Sequence, residues 1–293
     1  MINSVAIVGV GAMGGPMARR VHGAGFDLIV CDRDEKILDG FSSEGVKVTQ
    51  KPSECSQADL VLILVATAAQ VRDVVLGSDG ITSGLIDGHE PLVGVMSTVG
   101  PEVVIQLQEE LRPRGLRIVD VPISGGSHRA VKGTLAMMAG GDRGDVAAVT
   151  PVLKSMGTQI LPCGDVGAAQ AIKVLNNVLG GLNTLMAAEL YRVAVKLGMN
   201  LTEITSVLEA STGRNWLSAN PDEVNVSFAK FTDNRASFDS LMVIMKKDFE
   251  LARELLAQDE GDYPVVHNAM EVLQSLGDET FENWQSVGRA PLI

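Results

Sequence analysis

Up to about Gly164 the chain alternates short, almost wholly apolar runs with longer amphipathic or polar stretches. The runs are Val5–Val8, Leu28–Cys31, Leu60–Val65, Leu92–Met96, Leu116–Val121, Thr134–Ala139 and Gln159–Pro162. Continuous apolar runs of this length suit strands buried on both faces, and the stretches between them leave room for crossover helices. The pattern predicts βαβ units, and with them an N-terminal Rossmann-type α/β domain, a doubly wound and mostly parallel sheet over residues 1–164. From Asp165 the pattern changes. Ala168–Leu197 runs thirty residues without a proline and is rich in Ala, Leu, Val and Asn, which predicts one long, largely buried helix. Gly180–Gly181 marks a close-packing point or a bend within it. Thr202–Ser211, Asp239–Gln258 and Pro264–Ser275 also have helical periodicity, with no convincing strand among them. The second domain, 165–293, is therefore expected to be all-α and joined to the first by the long helix.

Composition narrows the function. The 293 residues are 46% hydrophobic and 20% charged, a globular balance, with a formal net charge of −12 and no basic stripe. Phosphate backbones are held by clustered Lys and Arg, so no nucleic-acid partner is expected. Cys31, Cys55 and Cys163 are scattered, without a Cys-x-x-Cys pair, which argues against a zinc site or a disulfide framework. No metal is expected. The N-terminus has no basic leader region and soon reaches Gly9, Gly11 and Gly14, so it reads as a strand and turn. The longest apolar stretch, Leu60–Ala66, is far short of the roughly 20 residues of a membrane helix. No membrane partner is expected, and the cytoplasm is the expected location.

The first chemical signal is Gly9-Val10-Gly11-Ala12-Met13-Gly14, lying between the run Val5–Val8 and the helical pattern Met13–His22. Gly-x-Gly-x-x-Gly alone is weak, but here a strand precedes it, a helix follows, and a second strand ends in Asp32. Gly9 permits the tight turn, Gly11 the approach of a pyrophosphate, and Gly14 close packing of helix on strand. The phosphates would sit on the helix N-terminus. Asp32, 18 residues beyond Gly14, is placed to accept from adenosine ribose hydroxyls, which favours NAD over NADP. Arg33 has two readings: a solvated surface charge, or a guanidinium that holds a 2′-phosphate. NAD is favoured and NADP remains open.

Two further segments carry donors. Asp120-Val121-Pro122-Ile123-Ser124-Gly125-Gly126-Ser127 leaves the end of a strand, where open α/β sheets bind ligands. Ser124, Gly125 and Gly126 offer a hydroxyl and backbone N–H groups suited to a carboxylate, though such a turn in isolation is more often plain surface. Gly164-Asp165-Val166-Gly167 then opens the long helix, on which Lys173 and Asn177 are four apart and share a face. Among apolar neighbours a desolvated lysine loses proton affinity and can serve as a general acid/base, although most helix lysines are surface charges.

Together these segments resemble the β-hydroxyacid dehydrogenase family, the group that includes 3-hydroxyisobutyrate dehydrogenase, tartronate semialdehyde reductase and threonate dehydrogenase. The resemblance spans nearly the whole chain: Gly9 to Met17, Asp120 to Gly126, Gly133-Thr134-Leu135 with Gly140-Gly141, Gly167 to Asn177, and Lys247-Asp248 followed by Leu251-Ala252. It implies an oxidoreductase that moves a hydride between NAD(P) and a small β-hydroxy acid or its semialdehyde. Lys173 would exchange the hydroxyl proton, Asn177 orient the substrate, and Ser124, Gly125 and Gly126 anchor it. The cofactor would be held by Gly9, Gly11, Ala12, Met13, Gly14, Asp32 and Arg33, by Thr98 near the nicotinamide, and by Lys247 supported by Asp248. The apolar C-terminal helices and the resemblance both point to a homodimer or homotetramer assembled through the second domain.

Three departures stand out. Ala66-Thr67-Ala68-Ala69 lacks the proline many relatives carry, Val95 replaces a common acidic residue, and Phe238 lies farther from Lys247 than the usual aromatic. His128, Arg129, Asn215 and Trp216 read equally as substrate-selecting residues or ordinary loop packing. The alternatives are an imine reductase-like enzyme, against which lysine at 173 counts, and a non-catalytic NAD(P)-binding protein.

Overall fold

The computed structural model describes residues 1–259 and 261–290, and the chain falls into two compact units, Met1–Lys173 and Val174–Ile293. Of the expected second domain, residues 260 and 291–293 lie outside the described residues.

The first unit runs β1 (Ser4–Val8), α1 (Gly14–Gly23), β2 (Asp27–Cys31), α2 (Glu35–Ser43), β3 (Lys47–Thr49), β4 (Leu60–Ile63), α3 (Ala68–Leu76), β5 (Leu92–Val95) and α4 (Pro101–Leu111). It continues through β6 (Arg117–Asp120), β7 (Ile123–Ser124), α5 (Gly126–Lys132), β8 (Leu135–Gly140), α6 (Arg143–Met156) and β9 (Gly157–Gly164) into the start of α7 (Ala168–Lys196). The sheet order is β3-β2-β1-β4-β5-β6-β8-β7, with β9 paired to β8. Pairing is parallel from β3 to β6, antiparallel where β8 meets β6 and β7, and parallel again at β9.

The apolar runs form strands because each side chain has a core to enter. Val5, Ile7, Leu60 and Leu62 enter the core beneath α1, α2 and α6; Ala6, Val8, Val61 and Ile63 enter the one beneath α3 and α4. Alternate residues on opposite faces, both buried, are what a continuous apolar run encodes. The order reverses between β1 and β4, which opens a crevice beyond the carboxyl end of β1. β9 departs from the expectation of burial on both faces. It is an edge strand, largely exposed, and carries Pro162 where an edge tolerates it.

The second unit is helical: the remainder of α7, then α8 (Leu201–Glu209), α9 (Val224–Phe231), α10 (Arg235–Leu256), α11 (Pro264–Ser275) and α12 (Asp278–Gly288). Its core centres on Tyr191, Phe228, Phe238, Phe249 and Trp284. α7 runs unbroken through Gly180–Gly181, and a Cβ at Gly181 would lie 2.7 Å from Phe249 Cε2. Gly181 is therefore the close-packing point, where α10 meets α7. Phe238 stacks edge-on against Phe281 and Trp284 at 5.6 and 5.7 Å between ring centroids. It is a core aromatic, which accounts for its distance from Lys247.

Candidate active site

The glycine turn is built by close approach. Gly9 has φ +89°, and a Cβ there would sit 2.3 Å from the Leu64 carbonyl oxygen. A Cβ on Gly14 would lie 2.0 Å from the Gly9 carbonyl oxygen, whereas one on Gly11 would meet nothing within 4 Å. So Gly9 and Gly14 are required by packing, and Gly11 leaves the mouth of the turn open. α1 begins at Gly14 after Ala12 and Met13, with no side chain capping it. An uncapped helix N-terminus beside an open glycine is a cradle that fits a pyrophosphate.

Asp32 completes this end. Its Oδ2 accepts from Val10 N at 2.8 Å and its Oδ1 from Asp34 N at 3.0 Å. Each carboxylate oxygen offers two acceptor sites, so both keep capacity for a ribose hydroxyl. Arg33 pairs with Asp73 at 2.9 Å.

The turn that follows β4, residues 66–69, has no proline, and a capping box holds it instead. Thr67 Oγ1 accepts from Gln70 N at 3.2 Å, while Gln70 Oε1 accepts from Ala66 N at 2.9 Å and Thr67 N at 3.2 Å. Ser97 ties this turn to the end of β5, its hydroxyl accepting from Val65 N at 2.9 Å and donating to Val65 O at 2.7 Å. Val95 is fully buried in the sheet. Thr98, half-buried, follows Ser97 in the same segment.

A clamp on the start of α7 organises the rest. Asp120, fully buried at the end of β6, accepts from Gly167 N at 3.0 Å through Oδ1 and from Gln170 N at 2.9 Å through Oδ2. Burial pushes its carboxyl above the usual carboxylate range, against the pull of those two N–H groups. Gln170, also fully buried, accepts from Val99 N at 3.1 Å and donates to Ser97 O at 2.8 Å. The Thr98 segment is thus held from both sides by one amide. Gly167, at φ +97°, brings the helix start close enough that a Cβ would lie 2.9 Å from Ile105 Cδ1. These bonds tie the start of α7 to the first unit, which extends to Lys173. Lys173, one turn beyond Gln170, is 7% exposed.

Ser124 ends β7 opposite Ala136, half-buried. Gly125 and Gly126 follow, exposed, at φ +134° and +68°. The Arg129 stem lies over Gly125, where a Cβ would meet Arg129 Cδ at 2.5 Å.

In the second unit Asp248, 5% exposed, gathers two of the expected residues. Its Oδ2 accepts from Asn177 Nδ2 at 2.7 Å, and its Oδ1 lies 2.9 Å from Lys247 Nζ. Asn215 is engaged in its own turn, its Oδ1 accepting from Leu217 N at 2.9 Å, and Trp216 Nε1 donates to Gly180 O at 3.2 Å. Among the described residues, no group of three or more His, Cys, Asp or Glu is placed to hold a metal.

Comparison with known proteins agrees with this geometry. Residues 4–164 match the family described as the NAD binding domain of 6-phosphogluconate dehydrogenase, and residues 167–287 the one described as NAD-binding of NADP-dependent 3-hydroxyisobutyrate dehydrogenase. The 3-hydroxyisobutyrate dehydrogenase of Pseudomonas aeruginosa is 33% identical over 216 residues, 73% of this chain and 72% of that protein. The chain belongs to the β-hydroxyacid dehydrogenase family. Another member, the NAD-dependent L-serine dehydrogenase of the same organism, is 29% identical over 279 residues, 94% of this chain and 92% of that one. The Mycobacterium tuberculosis 3-hydroxyisobutyrate dehydrogenase structure described with L-serine aligns with TM-score 0.80 at 26% identity, over 99% of this chain and 100% of that one. As in the rest of this oxidoreductase family, the N-terminal domain is an NAD(P)-binding Rossmann domain. No helix among the described residues is long and apolar enough to cross a membrane.

Three residues that shape the site were missed in the sequence: Ser97, Gln170 and Asp73. For Gln170 a signal existed, since it lies three residues before Lys173 and shares its side of the helix. In the sequence Asp120 only opens the Ser-Gly-Gly segment; in the structure it accepts from two N–H groups at the start of α7.

Proposed function

We propose that this chain interconverts a small β-hydroxy acid and its semialdehyde with NAD, Lys173 acting as general acid/base. The observation that carries the reading is the burial of Lys173 to 7% exposure, one turn from the Gln170 clamp that fixes the Thr98 segment. A bound nicotinamide supplies the hydride acceptor or donor. The residues of the chain supply the rest. The Gly9–Gly14 turn and Asp32 hold the dinucleotide; Thr98 and Lys247 are assigned to it as well. Ser124, Gly125 and Gly126 receive the substrate carboxylate through a hydroxyl and backbone N–H groups. Lys173 Nζ takes the hydroxyl proton during oxidation and returns it during reduction, and Asn177 orients the substrate. Arginine cannot replace it, because a guanidinium does not release its proton in this pH range.

A spectrophotometric screen of 3-hydroxyisobutyrate, L-serine, threonate and tartronate semialdehyde, each with NAD and NADP, tests the reaction. L-serine belongs in the screen because it names one relative and accompanies another's structure. On the substrate found, Lys173→Ala should lower kcat by about 100-fold or more, with the dinucleotide still bound, and Lys173→Arg should not restore it. An active Lys173→Arg enzyme refutes the role. Turnover of a cyclic imine, with none of any hydroxy acid, would favour the imine reductase-like alternative; no turnover at all would favour a non-catalytic NAD(P)-binding protein.

The same reading includes assembly through the helical unit. Leu175, Leu179, Met186, Leu190 and Val193 on α7, with Leu197 just past its end, are 52–66% exposed and recur at helical spacing. A second copy covering that stripe gives the dimer or tetramer. Three free cysteines suit a reducing cytoplasm, the location we assign.

A further inference from the structure

The outer end of β2 carries a cation for which NAD has no use. Arg33 follows Asp32 directly, where a guanidinium could receive the 2′-phosphate that distinguishes NADP. Its backbone is tethered, the carbonyl accepting from Gln50 Nε2 at 3.3 Å. Its side chain is engaged with α3 instead: Nη2 donates to Asp73 Oδ2 at 2.9 Å. The backbone that carries Asp73 is held. The Gly77 N–H donates to its carbonyl at 2.8 Å, and the chain closes so tightly that a Cβ on Gly77 would lie 2.6 Å from Asp73 Oδ1. α3 in turn starts from the Thr67–Gln70 capping box, so the carboxylate is presented from an element fixed at both ends.

We infer that Asp73 is a cofactor-specificity residue: by pairing with Arg33 it withholds the guanidinium from a 2′-phosphate and so shifts the preference of the site toward NAD. The inference rests on the reading that the Gly9–Gly14 turn and Asp32 hold the dinucleotide. Two effects act in the same direction. Binding a 2′-phosphate through Arg33 first requires breaking the ion pair, and the freed Asp73 carboxylate then remains nearby as a repelling charge. Asp32 alone would disfavour the phosphate; Asp73 removes the cation that could have compensated. The pair is largely solvent-exposed, with side chains 78% and 60% accessible, so its effect is a modest change in preference, not an absolute barrier.

Calorimetric titration of the full chain with NADH and NADPH tests this without a substrate. Asp73→Asn should tighten NADPH by about fivefold, what an exposed ion pair of up to ~1 kcal/mol converts to, and move NADH by less than about twofold. Arg33→Ala alone should leave NADPH within about twofold, because the guanidinium is already engaged, while Arg33→Ala added to Asp73→Asn should abolish the gain. Equal shifts for both nucleotides, no shift, or a gain that survives Arg33→Ala overturns the inference. A wild-type chain that prefers NADPH overturns the Asp73 assignment and the proposed preference for NAD, and leaves the dinucleotide turn standing. One that binds neither nucleotide overturns the dinucleotide reading and this inference with it.

Discussion

Replacing Gln170 by glutamate tests the clamp with a change of one atom. The wild-type amide is fully buried, with its oxygen accepting from Val99 N and its nitrogen donating to Ser97 O. A glutamate keeps the shape. Protonated, it can still accept from Val99 N and donate to Ser97 O; ionised, it sets a bare oxygen against a carbonyl oxygen with no water to separate them. Asp120, which accepts from the Gln170 backbone N–H, adds a second carboxylate nearby. The folded state therefore favours the protonated form, and the introduced group titrates above its unfolded value of about 4.3. A raised carboxyl contributes stability that is fully present below the unfolded value and lost as pH rises, at about 1.4 kcal/mol per pH unit until the folded value is passed. From pH 5 to 7.5 that slope allows a loss relative to wild type of up to about 3 kcal/mol. For a unit of this size that is roughly 6–12 °C in Tm. Thermal melts of wild type, Gln170→Glu and Gln170→Leu across this range decide the matter. Gln170→Leu leaves a buried N–H and a buried C=O unpaired, which costs about 1–3 kcal/mol each at every pH. A Gln170→Glu deficit that is the same at pH 5 and 7.5, or absent at both, refutes the clamp.

Asp120 carries a related expectation. Its carboxyl is raised above the ordinary 3.8 by burial, so its contribution is full below that value and is lost as pH rises through the folded one. Asp120→Asn should flatten that part of the profile of stability against pH and cost about 1–3 kcal/mol through an N–H of Gly167 or Gln170 left without an acceptor; denaturant titrations with an unchanged slope would count against it. Asp32→Ala removes the acceptor for Val10 N and Asp34 N, and with it the carboxylate that we propose receives the ribose hydroxyls. It should weaken NADH by roughly tenfold, as expected for about 1.4 kcal/mol, and narrow its advantage over NADPH, read by calorimetry. Leu190→Glu on the exposed stripe of α7 should shift the chain to monomer in sedimentation at micromolar concentration without lowering its helix content. A wild-type chain that is already monomeric refutes the assembly reading.

What was legible in the sequence depended on how local the cause is. Strands such as Leu60–Ile63 were readable because burial on both faces imposes an apolar side chain at every position. β3 escaped because three residues at a sheet edge, the first of them exposed Lys47, carry no such signature. α9 and α12 escaped because their core-facing residues are few and mostly aromatic, Val224, Phe228 and Phe231 in one, Phe281, Trp284 and Val287 in the other. The glycine turn was legible for a stronger reason: Gly9 and Gly14 stand where a Cβ would collide with backbone, so no other residue fits.

The supporting contacts follow a different rule. Lys173 attracts attention by type, since a lysine amid apolar helix residues invites an explanation, but Gln170 does not, because glutamine is ordinary in a helix. Its role arises only when Ser97 and Val99, over seventy residues earlier, arrive beside it with a carbonyl and an N–H to satisfy. The same holds for Asp120, whose partners Gly167 and Gln170 meet it only after β8, α6 and β9 have intervened. Residues that do chemistry are constrained by what they are. Those that position them are constrained by which backbone groups the fold leaves unpaired, and that demand exists only once the chain has closed on itself. The clamp satisfies four such groups, the N–H of Gly167, Gln170 and Val99 and the C=O of Ser97, with two side chains. Loosening either one should therefore disturb the start of α7 and the Thr98 segment together, so that hydrogen exchange at Val99 and at Gln170 rises in step in Gln170→Leu. Independent exchange at the two amides would mean that the segments are neighbours without being coupled.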